Sequence, residues 1–571
     1  MTDLVLGPLL RHVDETSATL WVETAEAATV TVTAGDHRAE SRTFRVHDHH
    51  YALVTLDGLT KGERSPYQVH VDGSLVWPEE DSPFPPPMIA TLDHAKPLRL
   101  AFGSCRTSVS HDKQGNKSHG VDALRAYALR MARVTDPSRE EDPDPDDEAR
   151  WPDLVLFLGD QVYADQTSPE MQEFIESRRD VEKPPWTELQ DYEEYAHLYH
   201  IAWSEPVNRW LLSTLPSAMI FDDHDIRDDW NTSHAWRQEM EATSWWHGRI
   251  VAGLASYWVH QHLGNLGPED RKNDEIWRQI ADHDSDDEFD ASDILDDLAD
   301  RTDQHPECYR WSFARDFGAQ ARLVVVDSRA ARVLKESERA ILDDTERAWL
   351  DDRMRGDVDH LLVGTSLPFL LSPGLHYVEA FSEALTKERW GRRTRKAGER
   401  MRQSLDLEHW AAFQDGFLDA ARMTLEVARG ERGRAPDTIT YLSGDVHHSY
   451  VSQATPTRRE RRGHPPAHSR IIQAVCSPIR NPMRRRMRFL VAVLAYGIAG
   501  PIGHVVARSA KVPRSPLKWD LLEGPWFDNN LATLEVNSTG LRMWWATGKV
   551  EDGVHDRPRL VRVADVTISP D

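Results

Sequence analysis

Several short runs in this sequence carry residue types that can hold a cation or move a proton. In Gly159-Asp160-Gln161-Val162-Tyr163, the carboxylate can bridge two cations, and a phenolate three residues on suits a hard trivalent ion such as iron. Phe221-Asp222-Asp223-His224-Asp225 sets three carboxylates in four positions, which repel one another unless cations neutralise them. Asp223 can ligate directly there, and His224 can donate to a phosphoryl oxygen or protonate a departing alkoxide. In Gly444-Asp445-Val446-His447-His448, Asp445 and His447 share a face if the chain is extended, and a loop can equally converge them. Oxygen with imidazole suits iron, manganese or zinc, whereas oxygen alone suits calcium. Cys105, after Phe102-Gly103-Ser104, is either a buried apolar filler or a further ligand. Asp327-Ser328-Arg329-Ala330-Ala331-Arg332 offers two guanidinium groups that match phosphate oxygens, or that tie a loop to its own aspartate. A capping Asp, a packing Tyr or a solvated turn uses the same letters, so each run alone is weak.

The elements preceding these runs strengthen them. Leu98–Cys105, Asp153–Asp160, Pro216–Asp225, Arg322–Arg329, His360–Ser366 and Thr438–His447 are near-continuous apolar stretches that end abruptly in polar side chains. Continuous runs suit strands covered on both faces, and the carboxyl ends of such strands are where α/β enzymes gather chemistry. The first 92 residues read differently. Thr29–Thr33 and Tyr67–Val71 alternate with period two, and turn residues separate short runs, which predicts a small β-sandwich. The proline-rich stretch Ser82–Met88 cannot continue a sheet, so a division into residues 1–92 and 93–571 is expected.

Two acidic stretches, Asp136–Arg150 and His283–Asp303, read as a solvated loop and a solvated face or flexible insertion; the second lacks the spacing of an EF-hand. Arg484–Lys511 places mostly apolar residues between basic flanks, and Gly497, Gly500, Pro501 and Gly503 break it. A buried helical hairpin and peripheral contact with an anionic membrane are the two readings.

Composition bounds the rest. The chain has 571 residues, 40% hydrophobic and 28% charged, a balance that excludes wholesale disorder and small disulfide scaffolds. Its net charge of −26 disfavours nucleic acid as a general partner. Three widely spaced cysteines form no disulfide framework or CxxC pattern. MTDLVLGPLLRHVDET lacks the basic and apolar regions of an export signal, so a cytoplasmic location is expected, with peripheral membrane contact as the variant.

Taken in order behind the β-rich start, the runs GSC, GDxxY, DDHD, DxRxxR and GDVH resemble those of the PhoD-like (alkaline phosphatase D) metallophosphatases. The resemblance implies a metallophosphoesterase αββα sandwich, mixed α/β, behind an immunoglobulin- or fibronectin-III-like β-sandwich. It implies iron (Fe3+) on Cys105, Asp160, Tyr163 and His447, and calcium (Ca2+), or manganese or zinc, on Asp160, Asp223 and Asp445. It gives His224 to the phosphate or leaving group and, with Arg329 or Arg332 on the phosphoryl oxygens, implies hydrolysis of a phosphate ester by a hydroxide held on the cations. Gly524–Asn530 (GPWFDNN) is similar to the family's closing segment and is expected to wall the site with Trp526, Phe527 and Asn529. This chain reads Gly364-Thr365-Ser366 where the family's fourth motif has a polar ligand, and its first residues, MTDLVLGPLL, show no twin-arginine pair, so export by that route is not expected. Monoester and diester substrates both stay open, the latter a lipid headgroup or cell-envelope polymer. So does a non-catalytic, membrane-associated scaffold.

Overall fold

The computed structural model describes residues 3–133, 151–285, 287–484, 487–488, 499–537 and 540–569. All six apolar runs are strands. Arg99–Gly103, Leu154–Leu158 and Ser217–Ile220 lie parallel and adjacent in a six-stranded sheet, completed by three antiparallel strands from residues 531–568. Ala321–Val326, His360–Thr365 and Thr438–Ser443 lie parallel and adjacent in a seven-stranded sheet.

Why the runs are continuous is visible in where alternate side chains go. Leu323, Val325, Leu362, Leu442 and Ile472 point between the sheets, into a core shared with Leu156 and Leu158. Their neighbours Val324, Val326, Leu361, Val363, Ile439 and Ile471 point the other way, into a second core with helix Gln414–Ala428. Helices Ala123–Met131, Pro206–Thr214 and Trp246–Tyr257 contribute to the first core on the far side of the six-stranded sheet. Both faces of both sheets are therefore apolar, and the layers run helix, sheet, sheet, helix.

The first ninety residues form two further antiparallel sheets around Leu10, Leu20, Val22, Val30, Val32, Val54, Val69 and Val71. The outer face of the first of these sheets, with Leu9, Trp21, Tyr51 and Leu53, joins the large core of the following region. Arg11 is fully buried there, and its guanidinium donates to the carbonyls of His260 and Gln261 at 2.7 and 2.6 Å.

The acidic stretch 283–303 takes the first of its two expected forms, a solvated face. Phe289–Asp290 adds a parallel strand to Phe44–Val46, and Ser292–Gln304 is a helix that buries Leu295, Leu298 and Ala299. Asp293 and Asp297 face solvent and Asp303 is buried against Arg237, so the helix is a solvated face of the fold rather than a flexible insertion. In Arg484–Lys511, Ala499–Ser509 is helical, and residues 485–486 and 489–498 lie outside the described residues, as does Asp136–Arg150. Among the described residues, no helix is long and apolar enough to cross a membrane.

Candidate metal centre

The two sets of parallel strands end at a common edge, and the backbone there is bent to turn side chains inward. Cys105, Asp160, Asp445 and His447 all have left-handed φ values, of 58°, 49°, 64° and 52°. Non-glycine residues rarely adopt this region, which costs of order 1–3 kcal/mol each and concentrates at functional sites. Two glycines permit the approach. A Cβ on Gly159, itself at φ 97°, would lie 2.6 Å from Asp222 Cβ, and one on Gly444 would lie 2.0 Å from Ser104 Oγ. The Asp225 carboxylate ties two strand ends together: its Oδ2 accepts the backbone N–H of both Asp160 and Asp222 at 2.9 Å. Ser104 Oγ accepts the N–H of Asp445 at 3.0 Å and so links the first strand to the last.

Side chains from four strand ends converge. Ligand atoms of Asp160, Asp223 and His224 lie within 4.8 Å of one another, and so do those of Asp222, Asp223 and Asp445. Cys105 Sγ is 3.3 Å and Tyr163 Oη 3.4 Å from Asp160 Oδ2. His447 stands outside the tight carboxylate groups. Its Nδ1–H donates to Asn481 O at 2.7 Å, which leaves the Nε2 lone pair available, and it is electrostatically coupled to Asp445 and His224. The six residues expected to ligate thus lie in one neighbourhood.

The electrostatics are those of a carboxylate cluster short of positive charge. Burial above all, with repulsion from Asp223, Asp222 and Asp225 on Asp160 and from Asp445, Asp223 and Glu408 on Asp222, drives the pKa of Asp160 and Asp222 well above the carboxylate range. Burial also raises the Cys105 thiol and the Tyr163 phenol well above their usual values, with Asp160 adding to both. Asp160 Oδ1 and Asp222 Oδ2 are buried with no hydrogen-bond partner among the described residues. Unpaired buried carboxylate oxygens cost more than a lost hydrogen bond, and cations satisfy them directly. The donor set therefore fits hard cations. Burial lowers the pKa of His447, keeping the ring neutral as a ligand must be.

His224 is oriented by a residue the sequence reading did not single out. Its Nδ1 lies 2.9 Å from both carboxylate oxygens of the half-buried Asp165, so Nδ1–H donates there, and Nε2, 3.7 Å from the exposed Asp228, is left to act. Burial opposes charge on His224, yet Asp165, Asp223 and Asp160 together raise its pKa well above 6.5. Asp165 sits five residues beyond Asp160 on the same loop, and that proximity to a candidate ligand was the available signal.

The arginines are placed differently from the expectation. Arg329 is completely buried, paired with Asp222 and Glu408, and 3.1 Å from Asp223. Arg332, 2% exposed, donates to the carbonyls of Ser328, Asn231 and Glu408 at 2.7, 3.1 and 2.9 Å. Neither guanidinium is open to a substrate. Three acids and a set of carbonyls occupy their donors, so both hold the site's acids and loops in place. Asn529 is likewise structural: its amide donates to the carbonyls of His119 and Val121. Trp526 packs on Trp545, and Phe527 lies against His448. In the divergent fourth motif, Thr365 and Ser366 bond to Ser328 and to the backbone of Gly444 and act as packing residues rather than ligands.

The segment Asp406-Leu407-Glu408-His409 fills the space beside the last strand. Glu408 pairs with Arg329, and His409 reaches Asp445 Oδ2 through Nε2 at 2.9 Å. No periodicity or motif marks these residues. Only the folded chain shows that they belong to the site.

Residues 146–487 match the family model for PhoD-like phosphatases, more than half of the chain. The chain belongs to the PhoD-like phosphatase family. That family is metal-dependent, and the acidic groups above are its candidate metal-binding groups here. Residues 1–89 match a separate model described as a domain of unknown function, DUF7800. A solved structure described as the structure of PhoD aligns with a TM-score of 0.60 at 13% identity, over 99% of this chain and 90% of that one. At this identity the likeness is one of fold, and it extends the PhoD-like architecture over nearly the whole chain. The type III pullulan hydrolase from Thermococcus kodakarensis, at a TM-score of 0.14 and 9% identity over 97% and 96% of the two chains, supports no argument. No curated protein matches the sequence.

Proposed function

We propose that this PhoD-like phosphatase hydrolyses phosphate esters at the strand-end cluster, using two or more hard cations. The convergence of Asp160, Asp222, Asp223 and Asp445 around buried, unsatisfied carboxylate oxygens carries this reading. Asp160, Asp223 and Asp445 would hold the cations, with Cys105, Tyr163 and His447 completing an iron site and calcium, manganese or zinc beside it. Bound there, the cations supply an activated water nucleophile and offset charge on the phosphoryl oxygens.

The chain's own groups do the rest. Asp165 fixes the tautomer of His224, so Nε2 can give a proton to the leaving alkoxide. The raised pKa keeps that proton in place at neutral pH. Arg329 clamps Asp222 and Asp223, aiming both carboxylates and opposing the rise in pKa that burial imposes on them. His409 holds one oxygen of Asp445 and leaves the other for a cation.

The test pairs elemental analysis with an ester panel on one purified sample. Bound iron or calcium with EDTA-sensitive hydrolysis of p-nitrophenyl phosphate or bis-p-nitrophenyl phosphate is the expected result, and the ratio of the two rates separates monoester from diester preference. Failure to bind these metals, or to cleave either ester after reconstitution, removes the reading.

A further inference from the structure

An acidic chain carries one strongly basic face. Helix Pro373–Thr386 packs along helix Ala499–Ser509 on one flank, and helix Arg395–Ser404 folds back on it. Residues 387–402 contain eight Lys or Arg against two Glu, of which Arg402 is buried and Lys387 pairs with Glu383 and Asp415, and residues 499–519 contain four Lys or Arg and no acid. Trp390 joins the two stretches: its Nε1 donates to Ser509 O at 3.1 Å, and its ring meets Phe381 edge-on at 5.1 Å. Even so, Trp390 is 51% exposed, and Val505 on the neighbouring helix is 68% exposed. Arg389, Arg393 and Lys396 from the first stretch, and Arg508, Lys511 and Arg514 from the second, are all exposed. Among the described residues, none of these six cations has an acidic partner in an ion pair.

We propose that this face docks on an anionic lipid bilayer. Unpaired cations on a chain of net charge −26 are attracted to a negative surface that the rest of the molecule repels, which orients the approach. Trp390 and Val505 stand among the cations, as interfacial anchors do: a ring with a polar edge and a short aliphatic group that gain by leaving water at the headgroup boundary. A projecting aliphatic side chain has no counterpart in contacts to a nucleic-acid backbone, and the overall negative charge disfavours a polyanion that extends beyond the face. No described helix can span the bilayer, so the association is peripheral. The helix beneath the face also bears the buried Glu379, which contacts His409 beside the metal centre. On the phosphatase reading, docking brings that centre close to headgroup phosphates; the docking itself does not depend on that reading.

The experiment is flotation of the full-length protein with phosphatidylcholine vesicles, with and without phosphatidylglycerol, at low and high salt. Wild type is expected to float only with the anionic vesicles, and less as salt rises. The triple variant R393E/K396E/R508E should lose binding on the order of tenfold or more. W390A/V505S should weaken binding while retaining its salt dependence. Circular dichroism and ester hydrolysis, expected unchanged in both variants, confirm that the fold survives. Equal flotation with neutral vesicles, wild-type flotation by the triple variant, or no flotation at all overturns the proposal. So does retention by polyuridylate without vesicle binding, which would assign the face to nucleic acid.

Discussion

His409 Nε2 lies 2.9 Å from Asp445 Oδ2, while Nδ1 of the same ring lies 2.6 Å from Glu379 Oε1. An imidazole held between two carboxylates at this depth has its pKa raised well above 6.5, with Glu379 and Asp445 outweighing the effect of burial. Its positive charge in turn holds Asp445 down at about 2, against a burial effect that would raise it. Asp445 therefore stays ionised, as a cation-binding oxygen must be, in an interior that pushes Asp160 and Asp222 the other way.

Replacing His409 with Gln keeps one hydrogen bond and removes the charge. Partners of this kind typically account for about 10–100-fold in metal affinity or activity. H409Q should lose metal at lower chelator concentration than wild type, read by elemental analysis after dialysis. Unchanged metal retention would assign His409 to packing alone.

Asp160 lies at the centre of the expected iron ligands, near Asp223, His224, Cys105 and Tyr163. D160N should abolish ester hydrolysis and reduce bound metal, because the amide offers only a neutral oxygen. Activity near the wild-type level would show that the bridging position lies elsewhere.

Tyr163 tests the identity of one cation. If iron is bound through the phenolate, the loaded protein is coloured by tyrosinate-to-iron absorption, and Y163F should bleach it while the chain stays folded. Colour that persists in Y163F would remove Tyr163 from the ligand set.

Arg329 is buried against Asp222, Asp223 and Glu408, so removing it leaves carboxylates uncompensated in the interior. R329M should destabilise the protein by about 3–5 kcal/mol, read by denaturant unfolding of the metal-free form. A loss in activity without a loss in stability would instead point to direct contact with substrate.

A pH dependence is expected where the first sheet meets the rest of the chain. His47 lies 3.2 Å from Asp296, and His49 lies 2.7 Å from Glu23 and 3.0 Å from Glu193. For His47 the Asp296 hydrogen bond, and for His49 the Glu23 and Glu193 carboxylates working against burial, raise the pKa above 6.5. A group whose pKa is raised on folding stabilises fully below its unfolded value, and the contribution is lost as pH rises through the folded value. Thermal unfolding should therefore show wild type losing its advantage over H47N/H49N as pH rises above about 6.5. A constant difference through that rise would count against these pairs.

Much of this molecule is written locally. The six strands could be read because strands covered on both faces must be apolar at every position, as Leu323–Val326 and Leu361–Val363 show. Polar residues at or just past the end of each apolar run mark the strand ends, which places Cys105, Asp160, Asp223 and Asp445 there from the sequence alone. The stretch at 292–304 is legible in the sequence only as a solvated face or an insertion, because its acidic surface hides the sparse apolar stripe of Leu295, Leu298 and Ala299 that makes it a helix.

By itself, the sequence determined which side chains stand at strand ends, since alternation and run length depend only on near neighbours along the chain. The tertiary structure alone decided what those side chains do. It turned Arg329 from a candidate phosphate ligand into a buried clamp on Asp222, 107 residues away, and it brought in Glu408 and His409 from a loop without any motif. Charge pairing in an interior acts through space, and residues distant in the chain become neighbours only when both sheets close on one edge.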